Sequence, residues 1–310
     1  MQHRGIHHVT AIAGSTQRNL AFYASVLGLR LVKKTVNFDD PGSYHFYYGD
    51  PTGSPGSILT FFPWEHAAPG SLGVGQTQET VFRIPEASIG YWTHRLVAKG
   101  AAHGNLVKRF GEKALPFKDS DGTRLAFVAT AGIENEPGWS AGDIPVEHAI
   151  RGLHSVSLLL KDAVPTAAIL TDVLGFVAGD REDAVQRYRA PAAPLGAVVD
   201  LRTVGDFPRG RQGAGSVHHV AFRAADDADQ AGMVRKLDEN HGLRTTEQKD
   251  RKYFRSVYFR EPGQVLFEIA TEPPGFAVDE PVESLGTALK LPSFLEARRD
   301  KIEAALPRLD

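Results

Sequence analysis

The sequence contains no cysteine among its 310 residues. Without thiol groups the chain can form no disulfide, can hold no metal through thiolate sulfur and can use no cysteine nucleophile. Histidine and carboxylate side chains are then the only strong metal ligands available, and they suit hard or borderline ions such as iron or manganese. Any metal chemistry in this protein must therefore use its histidines, aspartates and glutamates.

Excess charge of either sign and long apolar segments are also missing. The formal net charge is −2 at pH 7, which gives no electrostatic reason to expect a nucleic acid or an anionic membrane as a partner. No apolar run approaches the roughly 18 residues of a membrane-spanning helix, and residues 1–4 lead into the first strand without an apolar signal core. We expect a cytoplasmic protein whose partner is a small molecule, with a homo-oligomer as one candidate for its assembly state.

The chain repeats one short pattern four times. Aligned on a shared valine, the four copies place one residue each in an equivalent slot: His8, Thr80, Ser155 and His219. A glycine follows each slot after 20 to 23 residues, namely Gly28, Gly100, Gly175 and Gly242. Self-similarity at a nearly constant spacing indicates a repeated supersecondary unit. Each copy offers a strand, a helix that ends near this glycine and short strands joined by turn residues, which predicts a βαβββ module.

The modules are expected to pair, because one helix cannot cover four strands on both faces. We predict an α+β fold of four βαβββ modules, paired into two domains whose curved mixed sheets enclose cavities, with the helices outside. In this prediction residues 1–134 form the N-terminal pair of modules and residues 151–272 the C-terminal pair. The polar segment 135–150 contains proline and glycine, lacks periodicity and is predicted to link them.

A C-terminal extension follows the fourth module at residues 273–310. Its first part is rich in proline, and the apolar spacing over residues 293–306 predicts a terminal helix. Four apolar residues of this helix are expected to face inward: Phe294, Leu295, Ile302 and Leu306. The sequence leaves open whether the extension packs against the domains or covers the cavity.

A second repeated slot lies near the end of each module. Five residues after a turn glycine, the first three copies have an apolar residue: Phe61, Phe127 and Leu201. The last copy has Glu268 there, and a carboxylate is costly to bury without a partner. Together with His8 and His219, it predicts a metal site of two histidines and one carboxylate with open coordination positions. The alternative, hydrogen-bonded core or surface histidines, does not explain why histidine recurs in one slot.

Each candidate histidine ligand is preceded by a second histidine. Side chains alternate across a strand, so His7 is expected on the opposite face from His8, and His218 on the opposite face from His219. Both preceding residues are candidates for hydrogen bonds that orient the ligands, with simple packing as the alternative. His154 precedes the Ser155 slot in the same way and is expected to face away from it.

Segments around these residues resemble the vicinal oxygen chelate superfamily, and in particular its ring-cleaving dioxygenases that act on hydroquinones. Three segments carry the candidate ligands: residues 5–10 (GIHHVT), 217–222 (VHHVAF) and 262–271 (PGQVLFEIAT). Residues 147–154 (EHAIRGLH) and 273–276 (PPGF) are similar to the same family. The resemblance therefore extends over nearly the whole chain.

The resemblance implies an Fe(II)-dependent, extradiol-type dioxygenase that opens a hydroquinone-type aromatic ring with O2. It implies a single Fe(II), or Mn(II), held by His8, His219 and Glu268. In the related catechol enzymes both histidine ligands come from the C-terminal modules, but here the third module has Ser155 in the ligand slot. Modules one and four are therefore expected to form the working cup, and modules two and three a second cup without metal ligands.

Further residues are candidates for roles beside the metal. Tyr258 precedes the Glu268 strand and is expected to donate a hydrogen bond to a substrate oxygen or to dioxygen; the alternative is a sheet-edge tyrosine with a hydrated hydroxyl. Arg251 lies where this family often has a basic residue, and its alternative is a solvated loop charge. His45 and Tyr47 hold comparable places in module one, where core or rim positions are expected. Four aromatic residues are available for a pocket wall: Phe61, Phe62, Trp64 and Phe267.

Two other functions on the same fold remain as alternatives. A glyoxalase-type lyase or isomerase uses Zn or Ni, but such sites usually need two carboxylates, and the repeated slots provide one. A non-catalytic small-molecule-binding protein needs no metal ligands, so the set of His8, His219 and Glu268 counts against it.

Overall fold

The computed structural model describes residues 4–140 and 142–309. Five residues lie outside the described ranges. They are residues 1–3, where the sequence predicts no signal segment, Ala141 of the predicted linker and Asp310 of the predicted extension. Within the described ranges, the strands form two eight-stranded mixed sheets and the helices are few and short. The predicted α+β class is confirmed. None of the described helices combines the length and the apolar character needed to cross a membrane.

Each module contributes one helix and four strands in the predicted order. The first comprises β1 (Ile6–Ala13), α1 (Thr16–Leu20) with a π-helical continuation (Ala21–Val26), β2 (Arg30–Val36), β3 (Tyr44–Gly49) and β4 (Ile58–Pro63). The second comprises β5 (Gln76–Pro85), α2 (Ile89–Ala98), β6 (Val107–Arg109), β7 (Glu112–Lys118) and β8 (Arg124–Thr130). The third comprises β9 (Leu153–Leu160), α3 (Val164–Asp172), β10 (Val177–Glu182), β11 (Val185–Arg189) and β12 (Val198–Thr203). The fourth comprises β13 (Ser216–Ala224), α4 (Asp227–His241), β14 (Lys249–Asp250), β15 (Arg255–Arg260) and β16 (Leu266–Thr271).

Local capping signals set the ends of the helices. The Asp226 side chain accepts a hydrogen bond from the backbone N–H of Asp229 and so begins α4. Gly242 ends the same helix in the left-handed conformation, with φ of 62°, where a side chain would be strained. Ser15 caps α1 in the same way as Asp226 caps α4.

The two sheets combine modules from opposite ends of the chain. One sheet has the strand order β14-β15-β16-β13-β1-β4-β3-β2, so it joins module four to module one through the antiparallel pair β13 and β1. The other has the order β10-β11-β12-β9-β5-β8-β7-β6 and joins module three to module two. This is the expected pairing, in which modules one and four form the working cup and modules two and three form the second cup. The domain division at residues 134 and 151 stays a prediction, and each sheet takes strands from both sides of it.

The predicted terminal helix is interrupted. Two short helices stand in its place, α5 (Ser293–Glu296) and α6 (Arg299–Ala305). Three of the expected residues are buried, Leu295, Ile302 and Leu306, and their spacing of seven and four residues keeps them on one face across the break. Phe294 lies about 100° around the helix from its neighbour Leu295. It is therefore 64% exposed, and its expected inward position is wrong.

A buried charge holds the C-terminal extension against β2, the edge strand of the sheet that joins modules one and four. Lys33 on β2 is fully buried, and its Nζ lies 2.6 Å from Asp279 Oδ1 and 2.5 Å from Glu280 Oε2. Arg30 on the same strand donates hydrogen bonds to the backbone carbonyls of Val282 and Glu283. The extension therefore packs against the sheet through ion pairs that water reaches poorly.

Substitution of Lys33 is expected to destabilise the protein. Lys33→Met retains the length of the side chain but leaves two carboxylates without their buried cation, so we expect the free energy of unfolding to fall by about 3–5 kcal/mol. Chemical denaturation followed by tryptophan fluorescence measures this change. Lys301→Met, at an exposed position in α6, is the matched control and should change stability by less than about 0.5 kcal/mol. Equal stability of the two variants would contradict the assignment.

Candidate metal centre and active site

Three side chains from three neighbouring strands meet at the centre of the first sheet. His8 on β1 pairs with Ala221 on β13, and Ala221 pairs with Glu268 on β16, so the strand register brings His8 and Glu268 to one level. His219, two residues before Ala221, comes to the same point from β13. One potential ligand atom from each of the three residues lies within 4.8 Å of the others, and all three residues are buried. The structure thus brings together the three residues predicted as ligands.

The carboxylate of this triad has a free oxygen that suits a cation. Glu268 Oε2 lies 2.8 Å from His219 Nε2 and 3.4 Å from His8 Nε2, yet it is buried and receives no hydrogen bond of acceptable geometry from the described residues. Burial alone raises the pKa of Glu268, but the adjacent His8 and His219 outweigh it and hold this pKa well below its usual range. A buried carboxylate facing two imidazole nitrogens is a donor set that fits a divalent transition metal.

The residues preceding the two histidines hydrogen-bond to them. His7 Nδ1 lies 2.9 Å from His8 Nδ1, and His218 Nδ1 lies 2.7 Å from His219 Nδ1. Burial, followed by the neighbouring histidine, lowers the pKa of His7 well below its usual value and that of His218 to about 3. Both rings are therefore neutral near pH 7 and can accept a hydrogen bond from Nδ1–H of their neighbours, which leaves Nε2 of His8 and His219 free to bind a metal.

Two β-bulges make these histidine pairs possible. In the ladder between β1 and β13 the register shifts twice. The first shift, between Ile6 and His8, leaves His7 unpaired. The second, between Thr10 and Ala11, leaves His218 unpaired on the partner strand. A bulge leaves one residue unpaired and bends its strand. Strict alternation predicted His7 and His218 on the faces opposite their neighbours, and it gave no reason to expect the contact between neighbouring rings that is found at both bulges.

Ser256 holds the second oxygen of the carboxylate. Its hydroxyl is fully buried and donates a hydrogen bond to Glu268 Oε1. Ser256 lies on β15, two residues before Tyr258, which pairs with Glu268 across the ladder. Ser256 was not predicted from the sequence, although its position two residues from Tyr258 on one strand face was a signal that could have indicated it.

The triad forms the floor of a cavity of about 240 Å³. Tyr258 and Arg251 lie together on its wall: Arg251 Nε donates to the Tyr258 hydroxyl at 3.2 Å, and Arg251 Nη2 donates to Asp39 Oδ2 at 2.9 Å. Burial, followed by Glu268, raises the pKa of Tyr258, so its hydroxyl stays protonated. Because Arg251 donates to Tyr258, the hydroxyl proton of Tyr258 remains available for another acceptor. Asp39 was not predicted from the sequence.

A second polar chain crosses the wall of the cavity. The Tyr47 hydroxyl lies 3.0 Å from His45 Nδ1, His45 Nε2 lies 2.8 Å from Thr60 Oγ1, and Thr60 donates to Thr10 Oγ1 at 2.9 Å. Burial lowers the pKa of His45 well below its usual value, so this chain carries a neutral imidazole. His45 and Tyr47 therefore belong to the lining of the site.

Aromatic rings form the rest of the lining. Phe254 lies with its ring centroid 5.1 Å from both His7 and His8, and no pattern in the sequence indicated this role. Of the four aromatic residues expected in the pocket wall, Phe62 and Trp64 line the cavity, whereas Phe61 and Phe267 are buried in the core.

The second sheet has an ion-pair network at its centre. His154 Nε2 lies 3.2 Å from Glu112 Oε1 and its Nδ1 lies 3.0 Å from Ser155 Oγ. Arg187 makes a bidentate pair with Asp200 and a further contact with Glu112. In the described part of the chain, no group of acidic and histidine side chains besides the triad could hold a metal ion.

Comparison with known proteins places this architecture in a family. The family model described as the glyoxalase/bleomycin resistance protein/dioxygenase superfamily matches residues 5–127 and 152–269. The chain belongs to this superfamily. A metal cofactor is in keeping with that membership and with the buried triad of histidines and glutamate.

Full-length relatives within the superfamily carry names of ring-cleaving enzymes. A Bacillus subtilis protein provisionally named ring-cleaving dioxygenase MhqO is 44% identical over 306 residues, covering 97% of this chain and 95% of the relative. A protein from Sphingobium indicum named chlorohydroquinone/hydroquinone 1,2-dioxygenase is 34% identical over 308 residues, covering 96% and 94%.

Solved structures show the same fold. The crystal structure of a protein from Bacillus subtilis, provisionally described as a dioxygenase, superposes with a TM-score of 0.94 at 44% identity, covering 99% of this chain and 97% of that one. Glyoxalase I from Zea mays superposes with a TM-score of 0.64 at 14% identity, covering 87% and 92%, which shows a shared fold alone.

Replacement of His8 is expected to remove metal binding, whereas replacement of His154 is not. His8→Ala deletes one of three candidate ligands, and its loss of metal affinity should exceed the roughly 10-fold to 100-fold cost of losing an outer hydrogen-bonding partner. His154→Ala removes the histidine that precedes the equivalent slot, Ser155, in the second sheet, and it should leave metal content near that of the wild type. Elemental analysis of both purified variants checks this, and the reverse result would move the site to the other sheet.

Ser256→Ala is expected to weaken metal binding without abolishing it. The substitution removes the hydroxyl that holds Glu268 Oε1, so we expect a roughly 10-fold to 100-fold loss of affinity. Titration with metal in the presence of a competing chelator measures the dissociation constant. Ser155→Ala, at the corresponding centre of the second sheet, is the control. If both variants bind metal as tightly as the wild type, Ser256 does not orient the carboxylate.

Proposed function

We propose that this protein is a ring-cleaving dioxygenase that opens a hydroquinone-type ring with O2 at a mononuclear Fe(II) held by His8, His219 and Glu268. The observation that carries the proposal is the buried triad, with its unpartnered carboxylate oxygen, at the floor of a cavity lined by aromatic rings. The full-length relatives named as ring-cleaving dioxygenases, one of them for chlorohydroquinone and hydroquinone, support the same reaction class.

The proposed chemistry is of the extradiol type, in which the broken ring bond lies beside one hydroxyl-bearing carbon. Bound Fe(II) supplies a centre that activates both the ring oxygen and O2. His8, His219 and Glu268 would hold the ion, and the cavity that these residues line would leave room for the substrate and O2. Mn(II) suits the same ligand set and is the alternative metal.

The residues around the triad hold it ready for the substrate. His7 and His218 accept hydrogen bonds from the two imidazoles and fix their orientation, while Ser256 fixes the carboxylate. Little rearrangement is then needed when the substrate arrives, which is the contribution that a preorganised site makes to catalysis.

Tyr258 and Arg251 manage charge and protons on the cavity wall. The Arg251 guanidinium places a fixed positive charge there, which favours the ionised form of a ring hydroxyl. The Tyr258 hydroxyl accepts a hydrogen bond from Arg251 and keeps its own proton, so it can donate to a substrate oxygen or to O2. His45 and Tyr47 complete a polar wall, and the aromatic residues exclude water from the reacting ring.

The alternatives on this fold fit the site less well. A glyoxalase-type isomerase that needs two carboxylate ligands finds only Glu268 in the described candidate metal group. A binding protein without a metal does not account for a buried carboxylate oxygen without a hydrogen-bond donor. We further propose that the protein works in the cytoplasm, with the aromatic substrate and O2 as its partners and without nucleic acid or membrane.

Metal analysis combined with oxygen uptake tests the proposal. Protein purified without oxygen is expected to hold about one Fe(II) per chain and to lose its activity on chelation. Substituted hydroquinones should be consumed faster than catechols, with uptake of O2 measured by an oxygen electrode. Parallel samples reloaded with Mn(II) or Zn(II) serve as controls for the metal. Full turnover by metal-free protein, or isomerisation of a glutathione hemithioacetal without O2 consumption, would overturn the proposal.

A further inference from the structure

Two buried polar atoms in the cavity lining have no hydrogen-bond partner among the described residues. One is Glu268 Oε2, the acceptor at the metal end. The other is Trp64 Nε1, a donor. A buried donor without a partner destabilises a protein, and such groups are rare in folded proteins. The indole N–H of Trp64 therefore requires an explanation, as the carboxylate does.

Trp64 stands at the end of the cavity remote from the triad. Alternate side chains share one face of a strand. On β4 and its continuation, one such face carries Thr60, Phe62 and Trp64. Thr60 pairs with Thr10 close to the triad, and four further residues at about 3.3 Å each carry the backbone roughly 13 Å onward to Trp64. The backbone N–H of Trp64 still bonds to Ala13 beyond the end of β4, so its position is fixed.

Aromatic rings connect the two ends of the cavity. The Phe62 ring lies 5.7 Å from that of His218 on one side and is stacked on the Trp64 ring on the other, with centroids 6.0 Å apart and planes 9° apart. An aromatic substrate between these walls would have one end at the triad and the other toward Trp64. Three other cavity donors already have partners: Arg251, His45 and Tyr47. The free hydroxyl proton of Tyr258 belongs to the metal end of the cavity, where the Tyr258 ring lies 5.7 Å from that of His219.

We propose that the Trp64 indole N–H donates a hydrogen bond to the substrate oxygen remote from the metal, and that this bond selects para-diols. The inference rests on the proposed function and names the residue that distinguishes its substrates. A hydroquinone carries its second oxygen at the far end of the ring, where it can accept from Trp64. A catechol carries both oxygens at the metal end and leaves the donor unpaired. Sites built to hydrogen-bond a substrate hydroxyl reject analogues that lack it.

A comparison of two ligands and three proteins tests this proposal. Dissociation constants of hydroquinone and of 4-methylphenol, in which a methyl group replaces the far hydroxyl, are measured by calorimetry on the metal-loaded protein without oxygen. The proteins are the wild type, Trp64→Phe and Trp139→Phe. Trp64→Phe keeps an aromatic ring and removes the donor. Trp139 lies beside Arg30 and outside the cavity lining, so its variant controls for the general loss of an indole.

We expect the wild type to bind hydroquinone about tenfold more tightly than 4-methylphenol, the ratio that a neutral hydrogen bond of about 1.4 kcal/mol produces. In Trp64→Phe the ratio should fall to about one through weaker binding of hydroquinone alone. Its unchanged affinity for 4-methylphenol would show that the variant is folded. Trp139→Phe should keep the ratio of the wild type.

Several results would overturn the inference: an unchanged ratio in Trp64→Phe, an equal loss of affinity for both ligands, or no binding of either ligand by the wild type. Its failure is distinguishable from failure of the proposed function, because binding is measured separately from turnover. If the ratio responds as expected but hydroquinone supports no oxygen uptake, the reaction is wrong and the recognition stands. If hydroquinone is turned over but the ratio does not respond, the role of Trp64 alone is wrong.

Discussion

The buried carboxylate of Glu268 is the constraint around which the first sheet is arranged. An anion removed from water needs compensating charge or hydrogen bonds, and this one receives a bond from Ser256 on one oxygen and faces two imidazole nitrogens with the other. The two imidazoles must in turn keep Nε2 directed at the carboxylate, which the bonds from their Nδ1 atoms to His7 and His218 achieve. A carboxylate in a core slot thus accounts for the polar residues that surround it.

The repeated slots revealed the module architecture and the triad because equivalent positions in a repeat occupy equivalent places in the fold. His8 and His219 could be compared directly with Thr80 and Ser155, and Glu268 stood out against three apolar residues. The pairing of module one with module four followed from the same comparison. These features depend on strand order and residue spacing, which a sequence carries in full.

Other parts of the site depend on geometry that residue spacing does not contain. The bulges at His7 and His218 shift the strand register locally, so strict alternation did not predict that these rings contact those of His8 and His219. Asp39 and Phe254 lie on loops, where no period relates a residue to the cavity. Phe294 is exposed although it is apolar, because it lies about 100° around the helix from its buried neighbour Leu295.

The central strand pair of the site also has a consequence for biosynthesis. His8 lies near the beginning of the chain, whereas its strand partner β13 and Glu268 lie in the last third, so the ladder joins residues more than 200 positions apart. Contacts of such long range form late, and a chain is synthesised from its N-terminus. A nascent chain therefore presents only one of the three candidate ligands until most of it has left the ribosome. The group of three candidate ligands can then form only in a nearly complete protein, and fragments from interrupted synthesis cannot assemble it.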